Sequence, residues 1–175
     1  MSTVRLVDLV LADPPLMARL RAARSLDLPS WCIGGGAVRN IVWDAIFDVG
    51  PTPPRDLDLA WLGPVPHGDL RAHDMHLEAT LRALDPGAPW EVRNQARWGA
   101  TSLDSALATW PEPCTAVGVW LDEHDDVNVV APLGLGDLFA GIIRHNPARI
   151  SPKDWATRQH AKRWTSRWPG TRLVS

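Results

Sequence analysis

Two segments hold residues whose types and spacing suit chemistry. The first is Ile33-Gly34-Gly35-Gly36-Ala37-Val38-Arg39-Asn40, and the second, beyond a Pro-rich loop, is Arg55-Asp56-Leu57-Asp58-Leu59. A Gly-rich turn opening a helix offers backbone N–H groups that carry partial positive charge and lack partners, which suits phosphate. Glycine also lets the chain approach a ligand closely. On a strand, residues i and i+2 share a face, so Asp56 and Asp58 should project together while Leu57, Leu59 and Trp61 face a core. Converging carboxylates repel unless they share a cation, and hard oxygen ligands suit magnesium or manganese. Alone, the first segment reads as turn chemistry and the second as a solvated strand face. In this order they point to a nucleoside triphosphate. There is no Gly-Lys-Ser/Thr for a P-loop, and the glycines lack dinucleotide-fold spacing.

Further candidates lie downstream. Glu91 follows Trp90 and precedes Val92 on the next expected strand, so it faces away from the core those two join, and an in-register pairing would bring it beside Asp56 and Asp58. Arg39 lies in the first turn of the helix, where a guanidinium suits either an acidic cluster or a phosphate, or simply a helix surface. Asn94, Gln95 and Arg97 end the Glu91 strand, where they either line a cleft or cap the strand. His73 and His76 have helical spacing but no third ligand spaced to join them, and the acidic run 122–126 reads as a hairpin tip rather than a calcium loop.

GGGAVRN followed by DLDL resembles the polymerase-beta-like nucleotidyltransferase superfamily, whose pattern is a Gly turn, an Asp-X-Asp and a third carboxylate. WCIGGGAVRNIVWD, WEVRNQAR, ATWPEPCTAVGVWL, VVAPLGLGDLF and KRWTSRWP are similar to a bacterial branch of it, over about Trp31 to Pro169. The resemblance implies that Gly34, Gly35, Gly36, Arg39, Asn94, Gln95 and Arg97 bind the nucleotide. It also implies that Asp56, Asp58 and Glu91 are catalytic carboxylates holding Mg2+ (or Mn2+). The implied reaction moves a nucleoside monophosphate from an NTP to a hydroxyl of a small molecule, a protein or an RNA end. The alternative is an inactive nucleotide-binding or protein-interaction module that retains the fold.

The elements that must position these residues follow from periodicity. With 175 residues, 45% hydrophobic and 22% charged, the chain suits one domain with a real core. No apolar run reaches the ~18 residues of a membrane span and no signal-peptide pattern is present. Cys32 and Cys114 sit in apolar segments as reduced thiols, so a cytoplasmic location is expected. Helices are expected over 4–12, from Pro14 to about Leu26, and over 36–48, 71–84, 102–109, 134–143 and 152–168. Strands are expected at 31–33, 57–62 and near 90–93, with a hairpin of 115–121 and 127–131 and loops over 49–55 and 63–68. The fold class is therefore α+β (α/β-like), a small mixed sheet flanked by helices, with a helical N-terminal segment (1–28) and a basic C-terminal helix. From Arg144 onward eight Lys or Arg stand against the single acid Asp154, on a chain of net charge −2. That helix should dock through Ala161, Trp164 and Trp168, freeing Arg158, Lys162, Arg163 and Arg167 for a negatively charged partner. Trp31, Trp43, Trp61, Trp90, Trp164 and Trp168 fall at apolar-periodic positions and should be core anchors.

Overall fold

A computed structural model describes residues 1–65 and 68–174. Pro66 and His67, part of the expected 63–68 loop, lie outside the described residues. The order is α1 (Ser2–Leu11), α2 (Pro14–Arg24), β1 (Trp31–Gly34), α3 (Gly36–Phe47), β2 (Leu57–Trp61), α4 (Leu70–Leu84), β3 (Trp90–Asn94), α5 (Leu103–Leu107), β4 (Gly118–Leu121), β5 (Val127–Val130), α6 (Gly136–Phe139), β6 (Ile142–Arg144), α7 (Pro152–Lys162), α8 (Trp164–Arg167) and β7 (Arg172–Val174). A 3-10 turn, Gln95–Trp98, follows β3. Five strands form one sheet in the order β3-β2-β1-β4-β5, with β2 and β3 parallel and the other pairs antiparallel. Such a mixed sheet under helices is the expected α+β architecture.

Strand alternation separates two faces. Ile33, Leu57, Leu59, Trp61, Trp90, Val92, Val119 and Leu121 join the main core with residues of α1, α2, α3 and α4. Cys32, Ala60 and Val130 point the other way, where only Ala106 and Leu107 of α5 and a few neighbours cover them. Asp58 shares its parity with Ala60 and so emerges on this thinly covered face. The six tryptophans expected as anchors are all buried.

The open edge of β3 is closed by one stripe of α4. Asp74 Oδ1 accepts from Asn94 N at 2.9 Å, Glu78 Oε2 accepts from Val92 N at 3.1 Å, and Arg82 Nη2 donates to Trp90 O at 3.2 Å. Residues 74, 78 and 82 lie four apart on the helix and their partners two apart on the strand, so the two periodicities mesh. Asp74 is buried and also accepts from Trp61 Nε1 at 2.8 Å and pairs with Arg97 at 3.2 Å.

Two expectations change. The segment 134–143 is not one helix: α6 ends at Phe139 and β6 begins at Ile142, pairing with β7, a strand without sequence signal. The C-terminal helix breaks at Arg163, whose left-handed φ of 50° caps α7 and starts α8. The break leaves Ala161 exposed, while Trp164 and Trp168 still dock. Docking prevails over local preference, since Trp168 Nε1 donates to Asp44 Oδ1 at 2.7 Å and both rings pack on Trp43.

Asp74→Ala strands the indole N–H of Trp61 and the backbone N–H of Asn94 inside the protein. Urea titration should show a loss of about 3 kcal/mol in unfolding free energy, with Asp74→Asn intermediate.

Candidate active site

Along the thinly covered face runs a cavity of about 460 Å³. Its floor is β2 and β3, whose parallel register sets Asp58 opposite Glu91. Asp56 lies just before β2, not within it, yet its carboxylate still lines the cavity with Asp58 and Glu91. Gly35 and Gly36 form the near rim. Gly35 caps α3 at φ 62°, and a Cβ there would lie 2.7 Å from Asp58 Oδ2. A Cβ on Gly36 would have 3.7 Å to Asp56 Oδ1. The Gly turn and both aspartates therefore share one small space.

Asp58 is the group under most electrostatic stress. Burial, then Asp56, then Glu91 push its carboxyl up to about 7, partly countered by Lys162 and Arg158. Glu91 is more open, its side chain 48% exposed and 3.4 Å from Arg93. Among the described residues no ion pair ends on Asp56 or Asp58, and no three acid, His or Cys ligands close around one point. An all-oxygen set this open suits an ion that completes its shell with water and substrate phosphate, as magnesium does.

The other expected residues divide. Gly36, Gln95 and Arg39 line the cavity. Gln95 Nε2 donates to Arg93 O at 3.0 Å. Arg39 is 7% exposed, with its guanidinium 5.0–5.3 Å from the rings of Trp43, Trp164 and Trp168 and hydrogen-bonded to Asn40 Oδ1. Burial lowers its pKa to about 10, which leaves it cationic at neutral pH. Its chief contact is this aromatic cage and not the carboxylates. Gly34 does not line the cavity: it pairs with Gly118 in the sheet, and a Cβ there would meet Val117 O at 2.8 Å. Asn94 and Arg97 do not line it either. Asn94 caps the 3-10 turn by accepting from Ala96 N at 2.9 Å and donates to Gly63 O at 3.0 Å, and Arg97 serves Asp74. For Asn94 the capping alternative is the one realised.

A cationic wall faces the carboxylates. Lys162, Arg167, Arg149 and Arg55 line the same cavity. Arg158 also lines it but is not free, since its Nε and Nη2 bind the fully buried Glu112, which Thr115 Oγ1 also meets at 2.8 Å. With no buried residue on α7, this pair is a main anchor of that helix. Sequence periodicity identified the basic helix but not its fixed counter-ion. An acid between prolines in Trp110-Pro111-Glu112-Pro113-Cys114 was the one available signal.

The glycines should respond oppositely. Gly35→Ala adds a Cβ into Asp58 at a positive φ and should destabilise by about 1–3 kcal/mol, whereas Gly36→Ala makes only ordinary van der Waals contacts in a helix and should gain up to about 1 kcal/mol, both read by thermal unfolding. Asp58 gives a pH signature in metal-free protein. Its folded pKa is above the unfolded value, so its contribution is present below about pH 4 and lost as pH rises to about 7. Asp58→Asn should therefore exceed the wild type in stability at pH 8, by more than about 1 kcal/mol, and match it near pH 4.

A family model described as Nucleotidyltransferase matches residues 21–173, a span that includes the Gly turn, all three carboxylates and the basic helices. A search of curated proteins found no match. Among solved structures, one is an NMR structure of a protein that reveals a CCA-adding enzyme head domain. It is 28% identical, with a TM-score of 0.82 over 97% of this chain and 94% of that one. A CCA-adding enzyme in complex with CTP shares 17% identity and a TM-score of 0.59, over 97% of this chain but 42% of the enzyme. The Thermotoga maritima CCA-adding enzyme complexed with tRNA shares 16% identity and a TM-score of 0.58, over 96% of this chain and again 42% of the other. Identities that low carry the fold alone, and the chain spans less than half the length of those two enzymes. The extent of the family match, together with a carboxylate floor beside a glycine turn, establishes that the chain belongs to the nucleotidyltransferase family.

Proposed function

We propose that this protein transfers a nucleoside monophosphate from an NTP to an acceptor hydroxyl at the cavity holding Asp56, Asp58 and Glu91, acting as one nucleotidyltransferase unit. The observation that carries the reading is Asp58. A desolvated carboxylate beside two others, with no ion pair among the described residues, is a poor structural element and a good cation ligand. Asp56 and Asp58 would hold two magnesium or manganese ions, with Glu91 completing the acceptor-side one. Ions bound there supply Lewis-acid polarisation of the α-phosphate, a lower pKa for the attacking hydroxyl and neutralisation of the leaving pyrophosphate. The chain's own groups do the rest. The Gly35-Gly36 rim lets the triphosphate approach the start of α3, and Lys162, Arg167 and Arg55 stand where they would balance its negative charge.

Glu91 lines the same cavity and raises the Asp58 pKa, which favours activity over an inactive module. For the acceptor, an RNA end is favoured by the cationic wall and by neighbours of the same fold whose structures hold CTP and tRNA. Two buried free thiols support the cytoplasm as the place of action, and no helix among the described residues is long and apolar enough to cross a membrane.

Purified full chain incubated with each labelled NTP, magnesium and a set of short RNA ends should release pyrophosphate and label an acceptor. Asp56→Asn combined with Asp58→Asn should weaken manganese binding and lower transfer by at least about 100-fold, because several kcal/mol of charge stabilisation is removed. Equal manganese affinity in both proteins would refute the assignment, as would the absence of product from every NTP.

A further inference from the structure

We infer that the indole of Trp98, with Arg149 beside it, is a stacking platform for a nucleobase at the mouth of the cavity, a role that rests on the proposed reaction. Large aromatic side chains in this protein are mostly interior, whereas Trp98 is 50% exposed. Exposure alone would mean little. Its place is what matters: the ring lines the same cavity as Gly35, Asp58 and Glu91. It lies four residues beyond β3, past the C-terminal end of the strand that carries Glu91, whereas the glycine rim lies at the N-terminal end of β2.

The ring is presented on a fixed support. The side chain of Asn94 caps the 3-10 turn through Ala96 N, and Gly99 ends it at φ 78°. Arg97 is held by the buried Asp74 at 3.2 Å, and its guanidinium carbon is 5.3 Å from the Trp98 ring centre. Arg149 lies over the same ring, its guanidinium carbon 5.6 Å from the centre; it is exposed and takes part in none of the ion pairs among the described residues. Both guanidinium groups lie over the indole ring, and Arg149, which no carboxylate among the described residues holds, is the one an incoming base can displace, to sit between ring and guanidinium. The base stacks on the ring, and the cation meets a phosphate or the other face of the base. Every base has a π face, so the platform adds affinity without strong base selectivity. Two sources supply such a base, the incoming NTP and the end of an RNA acceptor.

Base-bearing and base-less ligands separate these cases. Binding is measured for the full-length wild type, Trp98→Phe and Trp98→Ala with manganese. The ligands are ATP, inorganic tripolyphosphate, hexaadenylate and hexaadenylate with an abasic 3′ nucleotide. Trp98→Ala should weaken at least one base-bearing ligand about tenfold or more, while Trp98→Phe retains it and the base-less counterpart is unaffected. A shift confined to ATP assigns the platform to the incoming nucleotide, and one confined to hexaadenylate assigns it to the acceptor. If Trp98→Ala binds both ligands within twofold of the wild type, or loses tripolyphosphate equally, the platform is overturned. Manganese-dependent tripolyphosphate binding that survives such a result leaves the proposed reaction standing, whereas a wild type that binds none of the four overturns both.

Discussion

The rest of the structure is arranged around one unfavourable arrangement, the Asp58 carboxyl held away from water beside Asp56 and Glu91. Like charges at close quarters in a poorly solvated place repel, and a fold keeps them together only if other elements fix their positions. The parallel register of β2 and β3 sets Asp58 against Glu91, and the α4 stripe of Asp74, Glu78 and Arg82 closes the outer edge of β3. Gly35 lacks a side chain where a Cβ would strike Asp58. Lys162 and Arg158 partly offset the charge from across the cavity.

The C-terminal segment is bound to that arrangement through aromatic packing and one buried ion pair. Arg39, one turn beyond the glycine rim, sits among Trp43, Trp164 and Trp168, so the helix that opens at the glycine turn also holds α8. Arg158 binds buried Glu112 and thereby fixes α7 over the cavity. Breaking either contact would leave a buried charge without its partner, so the basic wall is a built part of the cavity rather than a loose tail.

How much of this was legible in the sequence depends on the range over which the physics acts. The glycine turn, the Asp-X-Asp and the Trp anchors are local patterns with periods of two or 3.6 residues, and those parts were readable. Glu91 was readable as a face but not as a neighbour, because register between parallel strands is set by the α4 crossover and not by either strand. Asn94 and Arg97 sit beside a functional strand and read equally well as cleft residues. Their actual partners, Gly63, Ala96 and Asp74, are mostly distant in sequence. The break at Arg163 ran against local preference, since arginine is an unusual occupant of a left-handed position and only the tertiary docking of Trp164 and Trp168 explains it.

The cavity that results is polar along one direction. Its floor carries the acids, and Lys162 and Arg167 of the C-terminal helices line the same cavity, so a ligand that satisfies both must present divalent cations to the acids and anionic oxygens to the bases. A metal-bound triphosphate has that charge pattern, whereas a free metal ion answers only the floor and a bare polyanion answers only the wall. In the proposed reaction these electrostatics would favour the two components together, coupling nucleotide binding to metal binding without any moving part.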